Sequence, residues 1–504
     1  MPKQLELQKR NLSTWFSWFV MIISPFILLL ILSAIVGKNI FDSFPVWSDE
    51  LDYWRSLYSW DAVGFNKGYS GMFEVIPEHG TLGVHGFNSI MLYGPFVKIF
   101  GLSLNTIIVA NASWISLSAL AFCLILKPKA STSWLMTALL CGYVPIILYA
   151  PTSMTEWFNY ALFIFYLTFL ISYAKNRKWY WLTLLLITVS FGCLYRIPLF
   201  VLFFPAIYIF SHGRKIWKTI LFTLLCGVIA VACYLFSSAF TAPYIQGFLY
   251  HWLRAETLQN FIQIFLSHAK SNLISYFILS FTNYTPIETS LRVVYMLTML
   301  LSLVLSFFTY NRKEKKVVRR FSIEYLGAFL LLFVAFTIIV TLYETNDWSD
   351  FRTLSPYLFF VYAYFIAKRV FALPTVGFVG MLVMIMLLSA TSPVGFMRDE
   401  ARFVRRDYSR QLAKLISLIP YVEDAEDPFV NTVRVDIDYL QMHEQLHPGI
   451  GLQYGHLSTD TITKSQWLLT DHLKCVVYGY EKVLHFKNIY LYQKQPILEE
   501  NNTK

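Results

Sequence analysis

Apolar runs of about 18 residues or more recur from Trp15 to residue 392, separated by short polar turns. Each is long enough to cross a hydrocarbon core of about 30 Å as a helix. The first, Trp15–Val36, is longer than a signal-peptide core and lacks a small-residue cleavage site, which predicts a retained span. Further spans are predicted near Leu102–Leu126, Trp134–Ala150 and Trp157–Ala174, with a fifth ending near Arg196 and a sixth returning to Arg214. A seventh ends near Phe240, an eighth covers Ser290–Tyr310, a ninth ends at Tyr343, a tenth returns to Lys368 and an eleventh covers Leu373–Ser392. Beyond residue 396 the pattern changes. VNTVRVDIDYL, KCVVYGY and NIYLYQK read as strands, and the stretch near Asp399–Leu418 reads as a helix. The pattern predicts an all-α polytopic membrane protein of about 11 transmembrane helices. It has a large first extracytoplasmic loop at 38–101, a later outer loop at 241–288 and a small C-terminal α/β domain at 397–504.

Charge sets the orientation. Lys3, Lys9 and Arg10 precede the first span. Alternate turns then carry Lys127 and Lys129; Lys175, Arg177 and Lys178; Arg214, Lys215 and Lys218; the 311–320 turn; and Lys368 with Arg369. The positive-inside rule places these turns in the cytoplasm. The net charge of +10 then reports topology and not nucleic-acid binding. With 56% hydrophobic and 14% charged residues, a set of soluble domains is excluded. Five of the six cysteines lie in apolar segments and Cys475 is alone in the tail, so no disulfide framework or CxxC metal site is present. The span count puts the tail outside, where Arg398, Arg402, Arg405, Arg406 and Arg410 are disfavoured. An amphipathic helix on an anionic outer leaflet accommodates them; a cytoplasmic tail after one miscounted span is the alternative.

Ionisable residues gather at the outer ends of spans. WSDELDYW brings Asp49, Glu50 and Asp52 together in the first outer loop. Glu156 opens the fourth span, Arg196 sits between two apolar runs, and Asp347, Asp350 and Arg352 lie at the ninth and tenth spans. Such groups at membrane depth mark a site or pair with one another. A carboxylate can take the proton of an acceptor hydroxyl, and an arginine can hold a phosphate by bidentate hydrogen bonds. That pairing suits displacement of a lipid-linked phosphate by an alcohol, and no Walker or Gly-rich dinucleotide motif is present. Within 241–288, Phe248, Leu249, Trp252 and Leu253 alternate with His251 and Arg254. This predicts an amphipathic interfacial helix or a lid that brings Arg254 or Lys270 near a phosphate.

These motifs, in order, resemble the GT-C superfamily of integral-membrane glycosyltransferases that use polyprenyl-phosphate-linked sugars. WSDELDYW looks like its acidic motif after the first span, and GTLGVHGFNSIMLYGPFVKIFG like the later part of that loop. His85-Gly86 stands there where relatives commonly carry prolines. TSMTEWFNYALF, LYRIPLFVLFFP and DFRTLSPYLFF resemble the second acidic loop, the Arg-x-Pro segment and the late Arg-x-x-x-Pro motif. The chain is similar in this to protein mannosyltransferases, aminoarabinose transferases and O-antigen-modifying glycosyltransferases. The resemblance implies an inverting enzyme of the cytoplasmic (inner) membrane, its active site facing the periplasm or cell exterior. Asp49 would be the base or orient the acceptor, and Glu50 and Glu156 would assist it. Arg196, Arg352, Asp350, Arg254 and His85 would line the substrate site. No organic cofactor is implied, and a divalent cation, Mg²⁺ or Mn²⁺, would suit the oxygen ligands. The partners implied are the polyprenyl-phosphate-sugar donor, a glycan, lipid or protein acceptor, and the bilayer, with no nucleic acid. The competing readings are an O-antigen polymerase or ligase and a lipid-linked sugar flippase or transporter.

Overall fold

The computed structural model describes residues 2–43, 45, 47–64, 70–72, 87–241, 257–279, 286–311, 316–319, 321–343, 351–369, 416–423, 425–436, 446–455, 465–470, 479–486 and 489–495. The predicted eleventh span, all but the last three residues of the helix near 399–418, the segment with Arg254, and the side chains of His85, Asp350 and Arg352 lie outside them.

The chain is a mostly helical, multi-pass membrane protein. Five described helices are long and apolar enough to span: α1 (Pro2–Val36, of which Leu12–Val36 is apolar), α4 (Thr106–Leu126), α7 (Glu156–Asn176), α10 (Ile216–Ser238) and α13 (Ile323–Leu342). Shorter helices pack among or beside them: α3 (Asn88–Phe100), α5 (Ala130–Gly142), α6 (Val144–Tyr149), α8 (Trp179–Tyr195), α9 (Phe203–Ser211), α11 (Leu258–Ile274), α12 (Pro286–Phe307) and α14 (Phe351–Lys368).

The apolar pattern over Trp134–Ala150 predicts one helix, and the chain makes two. Pro145 cannot continue α5, so Tyr143 is extended (φ −76°, ψ 115°) and α6 starts afresh. Neighbours satisfy polar groups at the break: the Trp157 indole donates to the Ile146 carbonyl at 2.7 Å, and the Tyr143 hydroxyl to the Ser355 carbonyl at 2.8 Å. Pro25 poses the same problem inside α1. There the Ser24 hydroxyl donates to the Met21 carbonyl, which Pro25 cannot serve, at 2.8 Å.

Long-range contacts separate two ends. At one, the Trp18 indole donates to the Pro128 carbonyl, Arg369 donates to the Thr132 hydroxyl, and Arg177 donates to the Ile209 carbonyl. This is the basic end, where the lysine- and arginine-bearing turns gather. At the other, Ser43 donates to the Pro151 carbonyl, Asn88 to the Tyr195 carbonyl and Tyr357 to the Pro198 carbonyl.

A six-stranded mixed sheet joins this second, loop-rich end. Its strands are β1 (Ser70–Met72), β4 (Thr432–Asp436), β5 (Gly451–Gly455), β6 (Trp467–Thr470), β7 (Tyr480–Phe486) and β8 (Ile489–Lys494), in the order β1-β5-β4-β6-β8-β7. A separate hairpin, β2 (Phe308–Asn311) with β3 (Lys316–Arg319), leads from α12 towards α13. Strand β1 belongs to the first loop and pairs in parallel with β5, Ser70 opposite Leu452. The C-terminal module therefore contains a piece of the first loop and sits at the same end of the bundle.

The contact between module and loop contains a titrating histidine. His447 stacks on Tyr421, with centroids 4.2 Å apart, and its Nδ1 accepts the Gly449 N–H. Burial, then the nearby Arg55 charge, hold its pKa below the usual histidine value, and Glu423 opposes them. The unfolded chain binds that proton more readily, so stability is lost as pH falls through the mid-6 range. The melting temperature in detergent is expected to fall between pH 7.5 and 5.5, with a smaller drop in His447→Gln. Equal slopes for both proteins would refute this.

Candidate functional site at the loop-rich end

The site begins with α2 (Ser48–Val63), which carries the acidic motif. Helical spacing divides it into two working faces. Leu51, Arg55 and Ser59, four residues apart, face the C-terminal module. Leu51 packs with Val433, Ile450 and Leu491 in the module core. Arg55 is fully buried and donates to the carbonyls of His447 (2.7 Å), Ile450 (2.6 Å) and Leu446 (3.4 Å), while Ser59 donates to Pro448 (2.8 Å). Burial pushes the Arg55 guanidinium down to about 10, which leaves it charged at neutral pH. Glu50, Tyr53 and Leu57 are turned to the membrane bundle, where Tyr53 and Leu57 join the main core.

Glu50 is held by backbone N–H groups. One carboxylate oxygen accepts the Trp47 N–H at 2.9 Å, capping the start of α2, and the other accepts the Ser153 N–H at 2.7 Å. With no exposed surface, it ties α2 to the segment before α7. Asp52 is also buried, whereas Asp49 is partly exposed.

Glu156 is the first residue of α7 and is 1% exposed; its carboxylate accepts from Arg196 at 2.5 Å. Arg196 is held at the break after α8 in extended conformation (φ −147°, ψ 112°), because Pro198 forces a new 3-10 turn, Ile197–Leu202. Its guanidinium lies 5.1 Å from the centre of the Tyr195 ring. The Tyr195 hydroxyl is 2.6 Å from that of Thr155. Tyr53 links this group to α2: burial first, then the charges of Asp49 and Glu156, raise its phenol well above the ordinary value, while Arg196 opposes them. Asp49, Glu156 and Arg196 thus share one neighbourhood around a neutral phenol.

Behind Arg196 lies a small cleft lined by Asn159, Leu199, Tyr343, Thr353 and Tyr357 among others. Thr353 is in the first turn of α14, next to Arg352, so the DFRTLSP segment meets the Arg-x-Pro segment here. Asn159, one turn along α7 from Glu156, is 1% exposed, and neither side-chain polar atom has a hydrogen-bond partner among the described residues. A buried amide in that state is costly unless something in the cleft meets it. Tyr53, Asn159, Tyr195 and Arg55 went unassigned by sequence reasoning, although each sits inside or beside a quoted motif. The i+3 spacing of Glu156 and Asn159 was the available signal for the second.

Of the predicted lid segment, residues 257–279 are described. α11 packs against the end of α13: His268 Nδ1 lies 3.3 Å from the Thr341 carbonyl, and Asn272 donates to the Val340 and Tyr343 carbonyls. Lys270 is exposed. Among the described residues, no group of three or more His, Cys, Asp or Glu side chains is arranged to hold a metal ion.

No protein-family model matches the chain, and neither a curated protein nor a solved structure matches it.

Proposed function

We propose that the chain is a membrane glycosyltransferase of GT-C type, with an eleven-span body. It moves a sugar from a polyprenyl-phosphate donor to a hydroxyl of a glycan, lipid or protein on the outer side of the cytoplasmic membrane. The observation that carries the reading is the meeting of a half-buried, carboxylate-held arginine and an orphaned amide in one cleft, with the partly exposed Asp49 near the Tyr53 phenol that also senses Arg196. Arg196 and Asn159 offer N–H donors for a phosphate, and the arginine stabilises the charge that develops on it as the glycosidic bond breaks. Glu156 keeps Arg196 aimed. Asp49 takes the acceptor's proton as the acceptor oxygen attacks the anomeric carbon; the bond to phosphate oxygen breaks, its electron pair leaves with the phosphate, and configuration inverts. The charged residues named here sit at the end of the bundle, which favours chemistry at the surface over the mid-membrane charges a transporter needs.

The test uses membranes containing the full chain, supplied with radiolabelled polyprenyl-phosphate sugars and cell-envelope acceptors. Wild type is expected to incorporate sugar, and Asp49→Asn to lose about 100-fold or more of the rate while retaining donor binding. Full transfer by Asp49→Asn, or lipid translocation without sugar incorporation, would refute the proposal.

A further inference from the structure

The basic end carries a feature that neither topology nor the proposed reaction uses. Two turns meet there: the α7–α8 turn, where Arg177 takes left-handed backbone (φ 53°), and the α9–α10 turn, where Gly213 does (φ 74°). Together they wall a cavity of about 420 Å³ lined by Arg177, His212, Gly213, Arg214, Lys215 and Lys218. The positive-inside rule asks for cations in such turns but not for their convergence on one hollow. Rings hold several of them in place: the Arg214 guanidinium lies 4.2 Å from the Phe210 ring centre, the Lys218 ammonium 5.4 Å from that of Trp217, and the Arg177 guanidinium 5.7 Å from that of Tyr173. The 23-residue α10 begins at the cavity with Lys215 as its N-cap, so the positive end of its dipole adds to the field.

An apolar groove of about 370 Å³ runs up to this cavity, lined by Ala174, Pro205, Tyr208, Ile209, Gly327 and Leu330 among others. Ala174 precedes Arg177 by one turn of α7, and Arg177 donates to the carbonyl of Ile209, so groove and cavity adjoin. Glu324 lies on the α13 side of the groove, within hydrogen-bond reach of the Ser322 hydroxyl. Exposed Trp179, Trp217 and Ile216 flank the cations and mark the level of the membrane interface.

We infer that this end of the bundle binds one anionic phospholipid of the bilayer, its phosphate among Arg177, Arg214, Lys215 and Lys218 and an acyl chain in the groove. Charge complementarity selects the headgroup, and the continuity of cavity with groove selects a lipid over a free anion. The inference rests on the membrane-spanning body alone and stands or falls independently of the sugar-transfer reading.

Native mass spectrometry of the purified full chain in mild detergent tests it, with phosphatidylglycerol, phosphatidylcholine, polyprenyl phosphate and inorganic phosphate as separate probes. Phosphatidylglycerol is expected to be retained about tenfold better than phosphatidylcholine. Combined Arg177→Gln, Arg214→Gln and Lys218→Gln should lower that retention by about tenfold or more, while Lys127→Gln with Lys129→Gln leaves it unchanged. Gly327→Phe, where an added Cβ meets nothing within 4 Å, should also weaken retention with every cation intact. It keeps the inference testable if the triple variant does not fold. Equal retention of the two phospholipids, equal loss in the control pair, binding of polyprenyl phosphate alone, or displacement by inorganic phosphate at matched concentration would each overturn it.

Discussion

Arg196→Gln is expected to abolish sugar transfer and to lower the stability of the solubilised protein by about 3 kcal/mol. Two consequences follow from one lost charge. Glu156 is 1% exposed, and removing Arg196 leaves its carboxylate buried without its cation. The cleft also loses the charge that faces Asn159 and the α14 turn. A second substitution separates the two effects. Glu156→Gln on the Arg196→Gln background should recover most of the melting temperature, because neither charge then remains buried, yet transfer should stay absent. Recovery of both would make the pair purely structural and remove Arg196 from the reaction. The measurements are thermal unfolding by intrinsic fluorescence, with sugar incorporation on the same preparations.

Arg55→Met should release the C-terminal module from α2 at a cost of about 4 kcal/mol, since three carbonyls lose a charged donor in a buried contact. Hydrogen exchange over 446–455 is expected to rise by orders of magnitude, with the transmembrane helices unaffected. Transfer should fall as well, though less than in Asp49→Asn, because α2 carries both Arg55 and Asp49 and loses one of its two supports. Unchanged exchange in the module would refute the docking role. Gly449→Ala offers a milder version: a Cβ there would stand 2.4 Å from the Tyr421 ring, so the loop that presents these carbonyls must shift.

The two variants mark different degrees of legibility. Arg196 was visible in the sequence because an unaccompanied cation between apolar runs is costly and has to be explained. Its partner was also visible, as an acid at the mouth of the preceding span. Arg55 was visible only as one more charge in an acidic stretch. Its acceptors are backbone carbonyls 391 to 395 positions away, and a carbonyl carries no residue-type signal. The hold on Glu50 was illegible for the same reason: its partners are the N–H groups of Trp47 and Ser153. Strand β1 is only three residues long, too short for alternation to register, and it exists because β5 offers an open edge.

By itself the sequence determined that this chain lives in a membrane and which turns gather at one end. Hydropathy and the placement of lysine and arginine act locally, through the cost of exposing apolar surface or of moving a charge across lipid. Tertiary structure alone decided that WSDELDYW forms a helix buried on two faces, that Glu50 ties it down, and that Asp49 stays partly exposed near the Tyr53 phenol that also senses Arg196. Those outcomes depend on which distant surfaces meet, and neither residue type nor spacing along the chain encodes that meeting.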